Sequence, residues 1–78
     1  LITVYPNPTA GELVIKIDPL PDKAQNSISV IGLDGRIHMM ITELAIFNHL
    51  DLTGFSNGNY LLRLDLNGII KTYEVVKQ

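Results

Sequence analysis

The most constraining feature of this chain is a run in which every second residue is apolar and which ends at an Asn-Gly pair. From position 60 to 66 every even-numbered residue is Tyr or Leu, and Arg63 and Asp65 lie between them. Successive side chains of a strand point to opposite faces, so this segment is predicted to be a half-buried β-strand. Asn67 and Gly68 follow it, and both readily adopt the positive φ that a type I′ turn requires at its two central positions. The pair therefore predicts a tight hairpin.

The second strand of this hairpin is predicted over residues 69–77. Its buried face stays open at this level, because Val75 and Val76 are both apolar and point to opposite sides. Lys71 and Lys77 lie on the same strand, and lysines on an edge strand commonly block pairing with another chain. If the strand lies at a sheet edge, the alternative is recognition by strand addition to a receptor sheet.

Turn signals separate short alternating segments along the whole chain, at the spacing of about eight to twelve residues that is typical of all-β sandwiches. Further strands are predicted over residues 2–5, 13–17, 27–31 and 36–41. Asp34 and Gly35 predict the hairpin between the last two, with Gly35 at positive φ and Asp34 hydrogen-bonded to its own turn. If these strands formed one flat sheet, its apolar face would be exposed to solvent. We therefore expect an all-β fold, an immunoglobulin-like antiparallel β-sandwich of about seven short strands.

The segment of residues 42–52 is compatible with two structures. A short helix capped by Thr42 fits the residues, but its length is marginal. Strand alternation also fits, with Asn48 as the exception, and a strand that begins after a turn at residues 42–43 is the preferred prediction. Phe55 lies in the loop that follows and is expected to plug the end of the core, whereas Tyr60 is expected in the core with its hydroxyl at the rim.

Composition limits what such a chain can be. Its 78 residues suffice for one domain, and 46% hydrophobic with 18% charged residues is a globular balance. A formal net charge of −2 provides no basic field for nucleic acid. There is no cysteine, which excludes a disulfide framework and thiolate metal ligands. No apolar run approaches the roughly 18 residues of a transmembrane segment.

The few candidates for catalysis or metal binding are poorly placed. His38 alternates with Ile37, Met39 and Ile41, which are predicted to share the core face, so His38 is expected to face solvent. His49 is expected to be a hydrogen-bonded residue of an edge strand. The histidines have no carboxylate at ligand spacing, no serine lies in a G-x-S-x-G elbow, and the aspartates lack the clustering of a calcium loop. We expect no catalytic residue, no bound metal and no cofactor.

A proline motif ends the first predicted strand. Tyr5 and Asn7 each precede a proline, which restricts both to extended geometry, and Pro6 and Pro8 lack a backbone donor. Gly11 then supplies a permissive turn position before the next alternation begins.

Taken in order, these motifs resemble the type A C-terminal sorting domain of the type IX secretion system, over nearly the full chain. The residues that carry the resemblance are Val4-Tyr5-Pro6-Asn7-Pro8 with Gly11, Ile28 to Val30 with Asp34-Gly35, Leu50-Asp51-Leu52, Gly58-Asn59-Tyr60, and Lys71-Thr72-Tyr73-Glu74-Val75-Val76-Lys77. No single motif is specific, but their order and spacing are.

The resemblance implies a non-catalytic address on an exported cargo protein of Bacteroidetes bacteria. In that family the cargo passes through the periplasm, the folded domain is recognised by the outer-membrane translocon, and a sortase-like peptidase commonly removes it at the cell surface or outside the cell. The expected partners are thus the type IX translocon, this peptidase and an N-terminal cargo domain. Residues 1–78 are expected to form one sorting domain cut from a larger exported protein.

Site residues are carried over by position. The translocon-recognition residues that the resemblance implies are Gly58, Tyr60, Lys71, Val75, Val76 and Lys77. Residues expected to have a structural role in the motifs are Tyr5, Pro6, Asn7, Pro8, Gly11, Asp34, Gly35, Asn67 and Gly68. An accessory β-sandwich that binds carbohydrate or stabilises a neighbouring enzyme domain is the alternative, although the spacing does not bring three aromatic residues together.

Overall fold

The computed structural model describes residues 1–22 and 25–78, and these residues form seven strands and no helix. The strands are β1 (Ile2–Tyr5), β2 (Glu12–Ile17), β3 (Asn26–Ile31), β4 (Ile37–Ile41), β5 (Phe47–Asp51), β6 (Gly58–Leu66) and β7 (Ile69–Lys77). The all-β prediction is confirmed, and outside β5 the predicted strand bounds lie within two residues of the observed ones, with β1 and β7 predicted without error. The described residues contain no helix long and apolar enough to cross a membrane.

The strands form two antiparallel sheets. One sheet has three strands in the order β1-β2-β5, and the other has four in the order β4-β3-β6-β7. Sequential strands thus change sheets between β2 and β3 and again on either side of β5, as in the Greek-key connections of immunoglobulin-like sandwiches. The inner faces of the two sheets enclose one core.

The core consists of the alternating apolar residues of the central strands. Leu13, Ile15 and Ile17 of β2 are buried against residues of the other sheet, which include Leu62 and Leu64 of β6. Each fully buried Leu or Ile side chain stabilises the fold by about 1.5–3 kcal/mol relative to an exposed one. Period-two patterning therefore decides which sheet face is buried, as the sequence predicts.

The hairpin turns have the predicted backbone geometry. Asn67 (φ 59°) and Gly68 (φ 87°) both occupy the left-handed region between β6 and β7, as a type I′ turn requires. Gly35 (φ 83°) does so between β3 and β4. The Arg36 N–H donates to the Asp34 carboxylate at 3.0 Å, so Asp34 bonds its own turn as expected, and this bond lowers the pKa of the Asp34 carboxyl.

The predicted facing of β4 is wrong at its first residue, Ile37. The β3–β4 register shifts after the Val30–Met39 pair, so that Ile31 faces Ile37 and His38 is the extra residue of a β-bulge. Because the bulge reverses the alternation, Ile37 is 56% exposed on the outer face. His38 is exposed, as predicted, and its ring also contacts other rings at the end of the core.

Residues 42–52 form a strand in their second half. β5 covers Phe47–Asp51, and the preceding residues lack regular structure. Asn48, the exception in the apolar pattern, faces inward and is buried. Its side chain accepts a hydrogen bond from the Ala45 N–H at 2.9 Å and donates to the carbonyls of Ala45 at 2.8 Å and Ile15 at 3.1 Å. A polar residue is tolerated at this core position because its polar atoms are satisfied by backbone.

Candidate recognition surface

β7 is an edge strand of the four-stranded sheet. It pairs with β6 over all nine of its residues in unbroken register, from Gly58–Lys77 to Leu66–Ile69. The structure settles which face is buried: Val75 points into the core and Tyr73 packs against it, whereas Val76 is half-buried on the outer face. The sequence of β7 does not show which valine is buried, because positions 75 and 76 are both valine. The buried face is decided by the register with β6, which pairs Val75 with Tyr60.

The six residues predicted for recognition do not form one accessible surface. Gly58 and Lys71 are exposed and Val76 is half-buried. Tyr60, Val75 and Lys77 are buried, with 8%, 1% and 7% of their surface exposed. Tyr60 and Val75 are cross-strand partners on the core face, and the same two-residue period turns the side chain of Lys77 inward.

Lys77 is buried with its charged end satisfied. The ammonium Nζ donates to Asn57 Oδ1 at 3.1 Å, and the aliphatic stem covers the end of the core. The β6–β7 pairing thus places Lys77 beside the loop that precedes Gly58. Burial of a lysine stem with a hydrogen-bonded head holds the end of β7 against the body.

Three rings close the same end of the core. Phe55 and Tyr60 have centroids 5.4 Å apart, and His38 lies 5.5 Å from Phe55 and 5.7 Å from Tyr60. The Tyr60 hydroxyl donates to the Ser56 carbonyl at 2.6 Å. Phe55 plugs the core and Tyr60 keeps its hydroxyl at the rim, as predicted. His38 belongs to this cluster because of the β-bulge, which single-strand periodicity does not show.

The proline loop is joined to the last strand, a contact that sequence reasoning missed. The Asn7 amide donates to the Glu74 carbonyl at 2.8 Å and accepts from the Val76 N–H at 2.9 Å. Thr9 continues the pairing, since its N–H donates to the Val76 carbonyl and its carbonyl accepts from the Gln78 N–H, both at 2.8 Å. The motif therefore does more than end β1, because it covers the edge of β7 from Glu74 to its end. The pairing spans nearly the whole chain and leaves no local signal.

Glycine is required at position 11 because the backbone there lies close to Thr53, just after the end of β5 in the three-stranded sheet. Its carbonyl accepts from the Leu52 N–H at 2.7 Å, and its N–H donates to the Thr9 hydroxyl at 3.0 Å. A Cβ at this position would overlap the Thr53 methyl and lie 3.3 Å from Thr53 Cα. Any side chain would therefore displace the segment that holds the proline loop in place.

The remaining polar groups do not converge on a reactive site. His49 is exposed on β5, an edge strand as predicted, and its cross-strand neighbour is Val14. The Thr53 hydroxyl and N–H donate to the nearby Asp51 carboxylate at 2.6 Å and 3.0 Å, and these bonds lower the pKa of the Asp51 carboxyl. In the described part of the chain, no three His, Asp or Glu side chains are grouped as metal ligands.

The aromatic residues are divided among separate places. Phe55 and Tyr60 belong to the core end, and Tyr73 packs against the core. Tyr5 and Phe47 are exposed on β1 and β5, with β2 between them, and the Lys16 ammonium lies 5.3 Å from the Phe47 ring centroid. A sugar-stacking platform of several coplanar rings is not formed by these five residues.

The family model described as secretion system C-terminal sorting domain matches residues 3–78, which is nearly the whole chain. No curated protein matches the sequence.

Proposed function

Because the chain belongs to the family of secretion system C-terminal sorting domains, we propose that its folded surface around β7 is what the type IX translocon recognises. The domain is a sorting signal for type IX secretion, so it directs export of a cargo protein toward the cell surface or the extracellular space. Domains of this family are not catalytic.

The proposal includes steps before and after recognition. The cargo domain, joined N-terminally to residues 1–78, passes through the periplasm. The outer-membrane translocon binds the folded domain, and a sortase-like peptidase then separates it from the cargo outside. The domain itself has no catalytic activity and requires no cofactor. Its role is to present a rigid surface.

The match over residues 3–78 carries this proposal, because it includes the proline motif at one end and β7 at the other. The structure brings these two ends together through Asn7 and Thr9. Of the residues predicted for recognition, Gly58, Lys71 and Val76 retain accessible surface and are proposed to contact the translocon. Tyr60, Val75 and Lys77 are proposed to act indirectly, since they hold β7 in register.

Export of a fusion protein tests the proposed function. The 78-residue chain is appended to a periplasmic reporter in a type IX-competent cell, and reporter activity is measured in periplasm and medium. We expect export that requires an intact type IX translocon. If the reporter stays in the periplasm while an established sorting domain exports it, the proposal is wrong.

A pair of charge variants tests the recognition surface. Lys71→Ala removes an exposed charge on β7, and Arg36→Ala removes one in the turn before β4, on the opposite side of the same sheet. Among the described residues, the Arg36 side chain forms only an exposed ion pair with Asp34, which contributes little to stability, and alanine keeps the backbone hydrogen bonds of position 36. We expect Lys71→Ala to lower export several-fold and Arg36→Ala to leave it unchanged. Equal export by both variants would remove Lys71 from the proposed surface.

A further inference from the structure

The edge of β7 is divided into a covered part and an open part. The bonds of Asn7 and Thr9 show that the backbone groups of residues 74, 76 and 78 point away from β6. In an antiparallel ladder this direction alternates, and the register with β6 is unbroken. The N–H and C=O groups of Ile70 and Thr72, with the Glu74 N–H, therefore point outward too.

No partner occupies this open part within the described residues. Among the described residues, no backbone or side-chain hydrogen bond reaches the outward groups of Ile70 and Thr72. Exposed backbone groups on an edge strand are a template for another extended chain. The covered part shows that this edge accepts such a chain, because Thr9 pairs with Lys77 as a parallel β-bridge.

Two exposed apolar side chains lie at the start of the open part of β7. Ile69 is 64% exposed and Ile70 is 51% exposed, on opposite faces of β7. Lys71 is the one charge between Ile69 and Thr72. Strands that must not pair are generally short, bulged, bounded by proline or lined with charges, and Lys71 is such a feature of the open part. Two of the three other edge strands have such features: β4 carries the His38 bulge, and β1 has four residues and ends at Pro6.

We propose that the type IX machinery binds this domain by adding an extended strand of its own to residues 70–74 of β7. This rests on the proposed function. The partner is a segment of about five residues, since Asn7 already occupies the Glu74 carbonyl and the Val76 N–H. Its backbone carbonyls accept hydrogen bonds from the N–H groups of Ile70, Thr72 and Glu74, and one of its apolar side chains lies beside Ile70. Backbone pairing gives the affinity in this mode of binding, and the flanking side chains give the specificity.

A second copy of the chain fits the edge less well than a receptor strand. Antiparallel self-pairing centred on Thr72 would place Ile70 opposite Glu74 of the other copy, an apolar residue against a carboxylate. The paired stretch is also short, and stable dimers bury about 1,200 Å² or more. A receptor whose strand belongs to a larger sheet can add contacts to both faces of β7.

Proline at position 72 tests strand addition without removing a β6–β7 hydrogen bond. Thr72→Pro deletes an outward N–H and places a ring on the edge, a position at which edge strands tolerate proline. Thr72→Ala is the matched control, because it shortens the side chain and keeps the N–H. In the reporter fusion we expect Thr72→Pro to lower export at least about tenfold, the equivalent of about 1.4 kcal/mol, and Thr72→Ala to stay within about twofold of the unaltered domain.

Further measurements keep the outcomes distinct. Thermal unfolding of each isolated domain checks the fold, and if Thr72→Pro does not fold, Ile70→Pro with Ile70→Ala replaces the pair near the start of β7. If the unaltered domain is not exported, the proposed function fails. If it is exported and the folded proline variant is exported equally, strand addition is refuted. A dimer on size-exclusion chromatography that Thr72→Pro abolishes, with export retained, would assign the edge to a second copy and overturn the proposal.

Discussion

Replacing Asn7 with alanine should loosen the end of β7 and lower the stability of the whole domain. The Asn7 side chain makes two hydrogen bonds to the β7 backbone, at 2.8 Å and 2.9 Å. A hydrogen bond contributes about 0.5–1.5 kcal/mol net, and Asn7 is exposed, so water partly replaces what is lost. We expect Asn7→Ala to lower the free energy of unfolding by about 1–2 kcal/mol.

Thermal and chemical unfolding measure this loss. For a domain of this length, about 1 kcal/mol corresponds to a shift of about 4–8 °C in Tm, so a decrease of about 4–16 °C is expected. The urea midpoint should fall with an unchanged m-value, because the surface exposed on unfolding stays the same. Hydrogen exchange at the Val76 amide should accelerate more than at the Val75 amide, which faces β6.

Asn59→Ala is the matched control. Asn59 is an exposed asparagine on β6 whose cross-strand partner is Val76, and its side chain makes no hydrogen bond to the described residues. Its replacement should change the free energy of unfolding by less than about 0.5 kcal/mol. The reasoning about the proline motif is refuted if Asn7→Ala and Asn59→Ala have the same Tm.

Three more predictions concern stability. Asn48→Leu should cost about 2–4 kcal/mol in urea unfolding, because it leaves a backbone N–H and two carbonyls without their partner; a neutral result would contradict the role of this buried amide. Gly11→Ala should cost about 1–3 kcal/mol through overlap with Thr53, whereas Gly54→Ala, whose Cβ meets nothing within 4 Å, should cost less; equal losses would contradict it. The lowered pKa of Asp51 means that its contribution to stability is present above the usual pKa of 3.8 and is lost as pH falls through the lower folded-state value. Asp51→Asn should therefore lose less Tm than the unaltered domain between about pH 5 and about pH 2.5, and identical acid profiles would count against the Thr53 hydrogen bonds.

The fold class could be predicted because its determinants are local. Alternation with period two in β6 and positive φ at Asn67 and Gly68 are decided by neighbouring residues, and the structure confirms both. The same holds for Gly35 in the β3–β4 turn. Asn48 marks the limit of this reasoning, since a polar residue in an apolar pattern is tolerated only where backbone groups satisfy it.

The accessible surface could not be predicted as fully, because it depends on pairing between distant strands. Lys77 looks exposed in a single strand, and its register with Gly58 turns it inward. Ile37 looks buried, and a bulge opposite Ile31 exposes it. Periodicity describes one strand at a time, whereas register and bulges belong to pairs of strands.

The sequence by itself determined an all-β fold of about seven short strands, because alternation and turn chemistry act over a few residues. The tertiary structure alone decided which part of β7 is open. Asn7 reaches the Val76 N–H across 69 positions of sequence, and a hydrogen bond between such distant residues forms only when the two sheets have packed. That contact covers the end of the last strand and leaves the outward backbone groups of Ile70 and Thr72 open.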